Sequence, residues 1–148
     1  MTASDNDVRV HLYERFVADS APPSVTETAS ALGMSAGDAA AAYRRLAEGR
    51  VLVLQPGTDD IWMLNPLSAI ETPFTVRTGA RSYFGNCIWD ALGVAAMLDA
   101  DARISTPCPD CGEPLTIDVR DGRPQAAEPY IAHFAVPAAH WWDDIGYT

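Results

Sequence analysis

Asn86-Cys87-Ile88-Trp89-Asp90 opens an apolar run that ends near Leu98, and this run decides how the second half of the chain folds. Its length and composition predict a central buried helix. Asn86 is a good N-cap, so we expect Cys87 at about the first helical position. Because residues three apart share a helix face, the thiol of Cys87 and the carboxylate of Asp90 can point at one ligand.

The pair at the start of this helix has two chemical interpretations. A helix N-terminus favours the thiolate, which is the reactive form of cysteine, so Cys87 could be a soft metal-binding nucleophile beside the proton carrier Asp90. The alternative is a half-buried structural cysteine and an aspartate that caps the first helical turn. The local pattern leaves both interpretations open.

The first half of the chain, residues 1–66, predicts three helices followed by a β-hairpin. The helices fall in 8–18, 24–32 and 35–48, and the strands in 51–54 and 61–64. This order is the layout of a winged helix, which binds DNA through its third helix. Here that helix begins with Ala36, Gly37 and Asp38, which offer little to base edges, so a packing scaffold is the alternative.

The second half, residues 67–148, predicts a core of antiparallel strands packed on the central helix. A linker, Asn65-Pro66-Leu67-Ser68, separates it from the first half, and Asp121-Gly122 is a strong hairpin turn. The expected strands fall in 72–77, 102–105, 115–120 and 130–136. We therefore expect an α+β fold made of a winged-helix-like module and an α+β core.

Composition narrows the partners and the compartment. The chain has 148 residues, a net charge of −10 and ten Lys and Arg residues, of which Arg44, Arg45 and Arg50 form the one local basic cluster. An acidic surface opposes phosphate contacts, so we do not expect a nucleic-acid partner. No apolar run is long enough to cross a membrane, and the polar start does not resemble a signal peptide. With three cysteines and no export signal, we expect reduced thiols in the cytoplasm.

Cys108-Pro109-Asp110-Cys111-Gly112 is the second chemical feature. A Cys-x-x-Cys-Gly knuckle is a common half of a tetrahedral zinc site, and the remaining ligands would have to come from Cys87, His133 or His140. A redox dithiol fits less well, because the knuckle lies between strands rather than at a helix start. The third interpretation is a loop pair that stabilises a turn or transiently holds a soft metal. We take Cys87, Cys108 and Cys111 as the candidate metal ligands.

Together these residues resemble the organomercurial (alkylmercury) lyase family. The matching segments are Asn86-Cys87-Ile88-Trp89-Asp90-Ala91-Leu92, the upstream Asn65-Pro66-Leu67-Ser68 and Thr72-Pro73-Phe74, the cysteine loop at Cys108, and His133-Phe134-Ala135-Val136-Pro137. The resemblance runs from about Thr26 to the last residue. It implies a winged-helix-like module before a core that carries a Cys-x-x-Asp helix start.

The resemblance also implies a reaction, protonolysis of a carbon–mercury bond. Cys87 would capture the mercury of a small organomercurial, which suits the softness of sulfur, and Asp90 would carry a thiol proton to the leaving carbon. No organic cofactor is implied, and mercury is the metal of substrate and product.

The family has a second catalytic cysteine just beyond the segment that matches residues 141–148, whereas no cysteine follows Cys111 here. We therefore expect either a sequence truncated at that boundary or a divergent member in which Cys108 or Cys111 supplies the second thiol. Two other functions stay open on the same residues. One is a thiol-based soft-metal or zinc protein without lyase turnover, and the other is a winged-helix regulator.

Overall fold

The computed structural model describes residues 3–125 and 130–146. Four α-helices and eight strands follow one another in these ranges. The helices are α1 Asp5–Asp19, α2 Val25–Leu32, α3 Ala36–Glu48 and α4 Ile88–Leu98. The strands are β1 Val53–Leu54, β2 Ile61–Leu64, β3 Leu67–Ser68, β4 Phe74–Thr78, β5 Arg81–Gly85, β6 Ala102–Pro107, β7 Pro114–Arg120 and β8 Arg123–Gln125, and a 3₁₀ helix spans Ala138–Asp143.

The first three helices begin and end at the signals that the sequence carries. Ser24 caps α2 by accepting a hydrogen bond from the Glu27 backbone N–H, and the Glu27 carboxylate accepts one from the Ser24 backbone N–H. Gly33 ends α2 in the left-handed conformation, at a φ of 64°. These caps confirm the predicted helix boundaries, and the order of three helices before a hairpin is as expected. The winged-helix interpretation of this order stays a prediction.

All eight strands form one antiparallel sheet in the order β1-β2-β3-β5-β4-β6-β7-β8. Helix α4 packs on its central strands, from β3 to β6. Asp121 and Gly122 both have positive φ, 49° and 69°, as a tight hairpin turn between β7 and β8 requires. The α+β fold with an antiparallel sheet on a central helix is therefore confirmed.

One hydrophobic cluster joins the two halves of the chain. Val8, Leu12 and Phe16 of α1 belong to the same buried set as Val76 of β4 and Val94 of α4. The Tyr83 hydroxyl donates a hydrogen bond to the Val17 carbonyl at 2.7 Å, which ties β5 to the end of α1. The helices of the first half thus brace the sheet that carries α4.

Two predicted segments differ in the structure. Leu67-Ser68 is no linker but the buried strand β3, which pairs with β2 and β5 and so continues the sheet from one half to the other. The strand expected in 130–136 does not form; these residues are irregular and mostly exposed, although their aromatic and branched side chains favour a strand. None of the helices in the described ranges has the length and apolar character to span a membrane.

Candidate functional site

Helix α4 lies unusually close to strand β5, and a glycine makes this possible. A Cβ on Gly85 would stand 2.6 Å from the Ala91 backbone nitrogen and 2.9 Å from its Cα. Strand β5 and the first turn of α4 therefore meet backbone to backbone. This contact fixes where the residues between them, Asn86 and Cys87, can lie.

Cys87 is the N-cap of α4, not its first helical residue as expected from Asn86. The prediction of Asn86 as the cap was wrong because its side chain is used elsewhere. The Asn86 amide donates to the Asp90 carboxylate at 2.9 Å and to the Asn65 side-chain oxygen at 3.2 Å. Asn86 therefore holds the carboxyl group of Asp90 instead of the backbone of the first turn.

The thiol of Cys87 is half-buried and reduced. Burial raises its pKa, and the neighbouring charge of Asp90 adds to the rise. The backbone N–H groups of Asp90 and Trp89 act in the opposite direction, as expected at a helix start, but they do not outweigh burial. The predicted preference for the thiolate was therefore wrong: near neutral pH Cys87 keeps its proton.

Asp90 is half-buried one turn into α4, close enough to Cys87 for its charge to act on the thiol. Burial raises the pKa of Asp90 above 3.8, and the hydrogen bonds from Asn86 only partly offset this rise. A carboxyl group with a raised pKa holds a proton closer to neutral pH, as a proton carrier must. The structure thus brings together the two residues that the sequence singled out.

Aromatic residues surround the start of α4, and the sequence pattern did not reveal this group. Trp89 is 59% exposed, and its ring meets Phe134 edge to face at a centroid distance of 6.2 Å. Phe134 in turn lies 5.3 Å from the ring of Trp141. The irregular segment after residue 130 therefore reaches the outer side of the site. Only the richness of that segment in aromatic residues hinted at such a contact.

The cysteine knuckle forms the turn between β6 and β7. Cys108 is half-buried and Cys111 is exposed, and both are free thiols. The backbone N–H groups of Cys111 and Asp110, followed by the side chain of Cys111, lower the pKa of Cys108. Within 3–125 and 130–146, no three His, Cys, Asp or Glu residues lie together as a metal site. The structure does not gather Cys87, Cys108 and Cys111 into one cluster.

The remaining candidates lie apart from the thiols. His140 is exposed and contacts the Asp143 carboxylate at 2.9 Å, and His133 is exposed. Arg44 and Arg45 each form a bidentate ion pair, with Asp59 and Asp5. Arg50 lies over the ring of Trp142 at 5.5 Å. The one basic cluster of the sequence is thus occupied by contacts within the chain.

A groove of about 740 Å³ lies between α1 and the end of α4. Its wall includes Tyr13, Asn65 and Leu98, but neither Cys87 nor Asp90. The Tyr13 hydroxyl closes one side by donating to the Asn65 carbonyl at 2.8 Å. The groove is therefore separate from the thiol–carboxyl pair.

Fold and site together define an α+β protein with a thiol–carboxyl pair at the start of its central helix. The sequence model of the alkylmercury lyase family, MerB, matches residues 67–148. This match covers more than half of the chain, from β3 through the helix of Cys87 to the last residue. The chain belongs to the alkylmercury lyase family.

Solved structures give the same fold. The mercury-bound form of MerB2 superposes with a TM-score of 0.64 at 22% sequence identity. The alignment covers 81% of this chain and 59% of that one, so the present chain spans only part of the length of this relative. No curated protein matches the chain.

Proposed function

We propose that this chain binds an organomercurial compound at Cys87 and cleaves its carbon–mercury bond by protonolysis, with Asp90 as the proton carrier. One observation carries the proposal. Burial raises the pKa of both Cys87 and Asp90 at one helix start, and the charge of Asp90 acts on the thiol. A thiol and a carboxyl group that share protons in this way are the two parts that the reaction needs.

In the first step Cys87 replaces the thiolate that an organomercurial carries in a cell. A sulfur–mercury bond to Cys87 forms, the bond to the outgoing thiolate breaks, and the thiol proton passes to the Asp90 carboxylate. Metal binding to sulfur requires this deprotonation, and mercury, as a soft metal, favours sulfur over oxygen. Burial of Cys87 keeps its proton in place until mercury arrives.

In the second step Asp90 returns the proton to the carbon atom bound to mercury. The carbon–mercury bond breaks as the carbon–hydrogen bond forms, so the organic group leaves as a hydrocarbon. The released thiolate binds again and gives mercury its second sulfur ligand. The carboxylate of Asp90 is then restored, and charge and protons balance over the two steps.

We assign the second sulfur ligand to a small-molecule thiol rather than to the knuckle. Within the described ranges, Cys108 and Cys111 do not form a three-residue group with Cys87 and Asp90 that could hold a metal. A thiol supplied by solution meets the need without moving either element. Since the reaction needs reduced thiols, the proposed location is the cytoplasm.

Hydrocarbon release tests the proposal. The protein is incubated with phenylmercury acetate and excess glutathione, and benzene is measured by gas chromatography against a protein-free blank. We expect release above the blank from the natural sequence, and a loss of at least about 100-fold in Cys87→Ser and Asp90→Asn. Circular dichroism checks that both variants fold. No release from the natural sequence, or full release from Cys87→Ser, would overturn the proposal and favour a thiol protein without turnover.

A further inference from the structure

The turn that joins β6 to β7 holds its two cysteines in a fixed frame. The strands pair as far as Pro107 and Pro114. Beyond them the Cys108 backbone N–H donates to the Glu113 carbonyl at 2.7 Å, and the Gly112 N–H donates to the Cys108 carbonyl at 2.8 Å. Gly112 closes the turn at a φ of 76°, which a residue without Cβ adopts without strain. The frame depends on backbone hydrogen bonds alone.

Within this frame the two thiols are neighbours. The side chain of Cys111 interacts with the Cys108 sulfur as a hydrogen-bond donor, and the backbone N–H groups of Cys111 and Asp110 are directed at the same sulfur. Both thiols are free, and Cys111 is exposed. An incoming ion can therefore reach two sulfur atoms that are already side by side.

From this geometry we propose that Cys108 and Cys111 form a second metal site, separate from Cys87, that chelates a soft ion such as inorganic Hg(II) between two thiolates. Two sulfur–metal bonds form, two sulfur–hydrogen bonds break, and both protons go to the solvent. No oxidant or further reactant is required. The site needs neither Cys87 nor the proposed lyase reaction.

The number of ligands selects the class of metal. Zinc in structural sites takes four ligands, and within residues 3–125 and 130–146 no third His, Cys, Asp or Glu joins the knuckle in a metal-holding group. Hg(II) forms stable two-coordinate complexes with thiolates, and soft ions prefer sulfur. Two adjacent thiols on a rigid turn are thus complete for Hg(II) and incomplete for Zn(II).

The count of cysteines makes the test direct. The sequence has three cysteines, so Cys87→Ser leaves only the knuckle pair. This variant is titrated with mercuric chloride in a glutathione buffer, and free protein thiols are counted with Ellman's reagent after glutathione is removed. We expect one Hg(II) per chain to consume both thiols, with ultraviolet thiolate-to-metal absorption saturating at the same ratio. Zn(II) at the same concentration should protect neither thiol.

The matched controls are Cys87→Ser/Cys111→Ser and Cys87→Ser/Cys108→Ser, which leave a single knuckle thiol. Without chelation, Hg(II) affinity should fall on the order of 100-fold in both. Equal affinity of the pair and of either single thiol would overturn the proposal, as would two free thiols at one equivalent of Hg(II). Tight protection by Zn(II) would also contradict the two-ligand site. None of these outcomes depends on hydrocarbon release, so the lyase proposal is tested separately.

Discussion

The two cysteine regions of this molecule treat the same functional group in opposite ways. Cys87 lies half-buried at the end of β5, where burial and the charge of Asp90 raise its pKa. Cys108 lies in a turn whose N–H groups lower its pKa. Burial beside a carboxyl group suits a thiol that exchanges a proton with its substrate, whereas an accessible pair suits chelation. The difference lies in packing, since both elements are built around a cysteine at a chain reversal.

The largest effect should follow from Gly85→Ala, which separates the two regions by their dependence on the core. The new Cβ would stand 2.6 Å from the Ala91 nitrogen, so α4 must move away from β5. We expect a loss of about 1–3 kcal/mol in the free energy of unfolding, measured by urea denaturation. Cys87 should also become more accessible to alkylation while the knuckle does not change.

Gly37→Ala is the matched control for this substitution. Gly37 is exposed on α3, and an added Cβ would meet only the Ser35 hydroxyl at 3.8 Å. This variant should gain about 0.5–1 kcal/mol because alanine favours the helix. A Gly85→Ala protein as stable as the natural sequence would contradict the close seating of α4.

Alkylation rates compare the two thiol environments directly. With iodoacetamide at pH 7, Cys108 and Cys111 should react at least about tenfold faster than Cys87, because the thiolate is the reactive form and Cys87 is shielded. Peptide mass spectrometry measures the three rates in one sample, and urea-unfolded protein provides the reference in which they converge. Faster labelling of Cys87 than of the knuckle would reverse the comparison.

Asn86→Ala tests what holds the carboxyl group beside Cys87. The amide donates to Asp90 at 2.9 Å and lowers its pKa, so the variant should have an Asp90 pKa raised further than in the natural sequence. Carbon-13 NMR of the Asp90 carboxyl group measures this pKa. The stability loss should be roughly 0.5–1.5 kcal/mol. Asn6→Ala, on the exposed side of α1, is the control that should change neither quantity.

The smallest effect concerns the pH dependence of stability. Because the folded-state pKa of Asp90 is raised, its contribution is fully present below its ordinary value of 3.8 and is lost as pH rises through the folded pKa. From pH 4 to pH 7 the natural sequence should therefore lose stability relative to Asp90→Asn. Asp7, whose pKa the Ser4 hydroxyl lowers, provides a control of opposite sign, with a contribution that is lost as pH falls.

The local signals in the sequence predicted most of the fold. Ser24 with Glu27, Gly33, and the Asp121-Gly122 turn act through neighbours within a few residues, and each lies where the pattern indicated. The periodic face of α3, with Ala39, Ala42, Tyr43 and Leu46, is buried as its spacing predicts. Such features do not depend on the rest of the chain.

The errors share one cause, which is contact between distant segments. Asn86 has the chemistry of a cap, but its amide bonds Asn65, 21 residues away, as well as Asp90. Residues 130–136 have a strand-like composition, yet they contact other aromatic rings and pair with no strand. The raised pKa of Cys87 likewise reflects how deeply α4 is seated. Pattern alone gave the pair of site residues but not their protonation.

The most direct test of the thiol–carboxyl pair follows a single mercury adduct over time. In Cys108→Ser/Cys111→Ser, Cys87 is the only thiol of the chain. Native mass spectrometry after one equivalent of phenylmercury, with glutathione present, should record a phenylmercury adduct that converts to a mercury adduct without the phenyl group. Adding Asp90→Asn should leave the phenylmercury adduct unconverted. Loss of the phenyl group at an equal rate in both proteins, or no adduct at Cys87, would contradict the account.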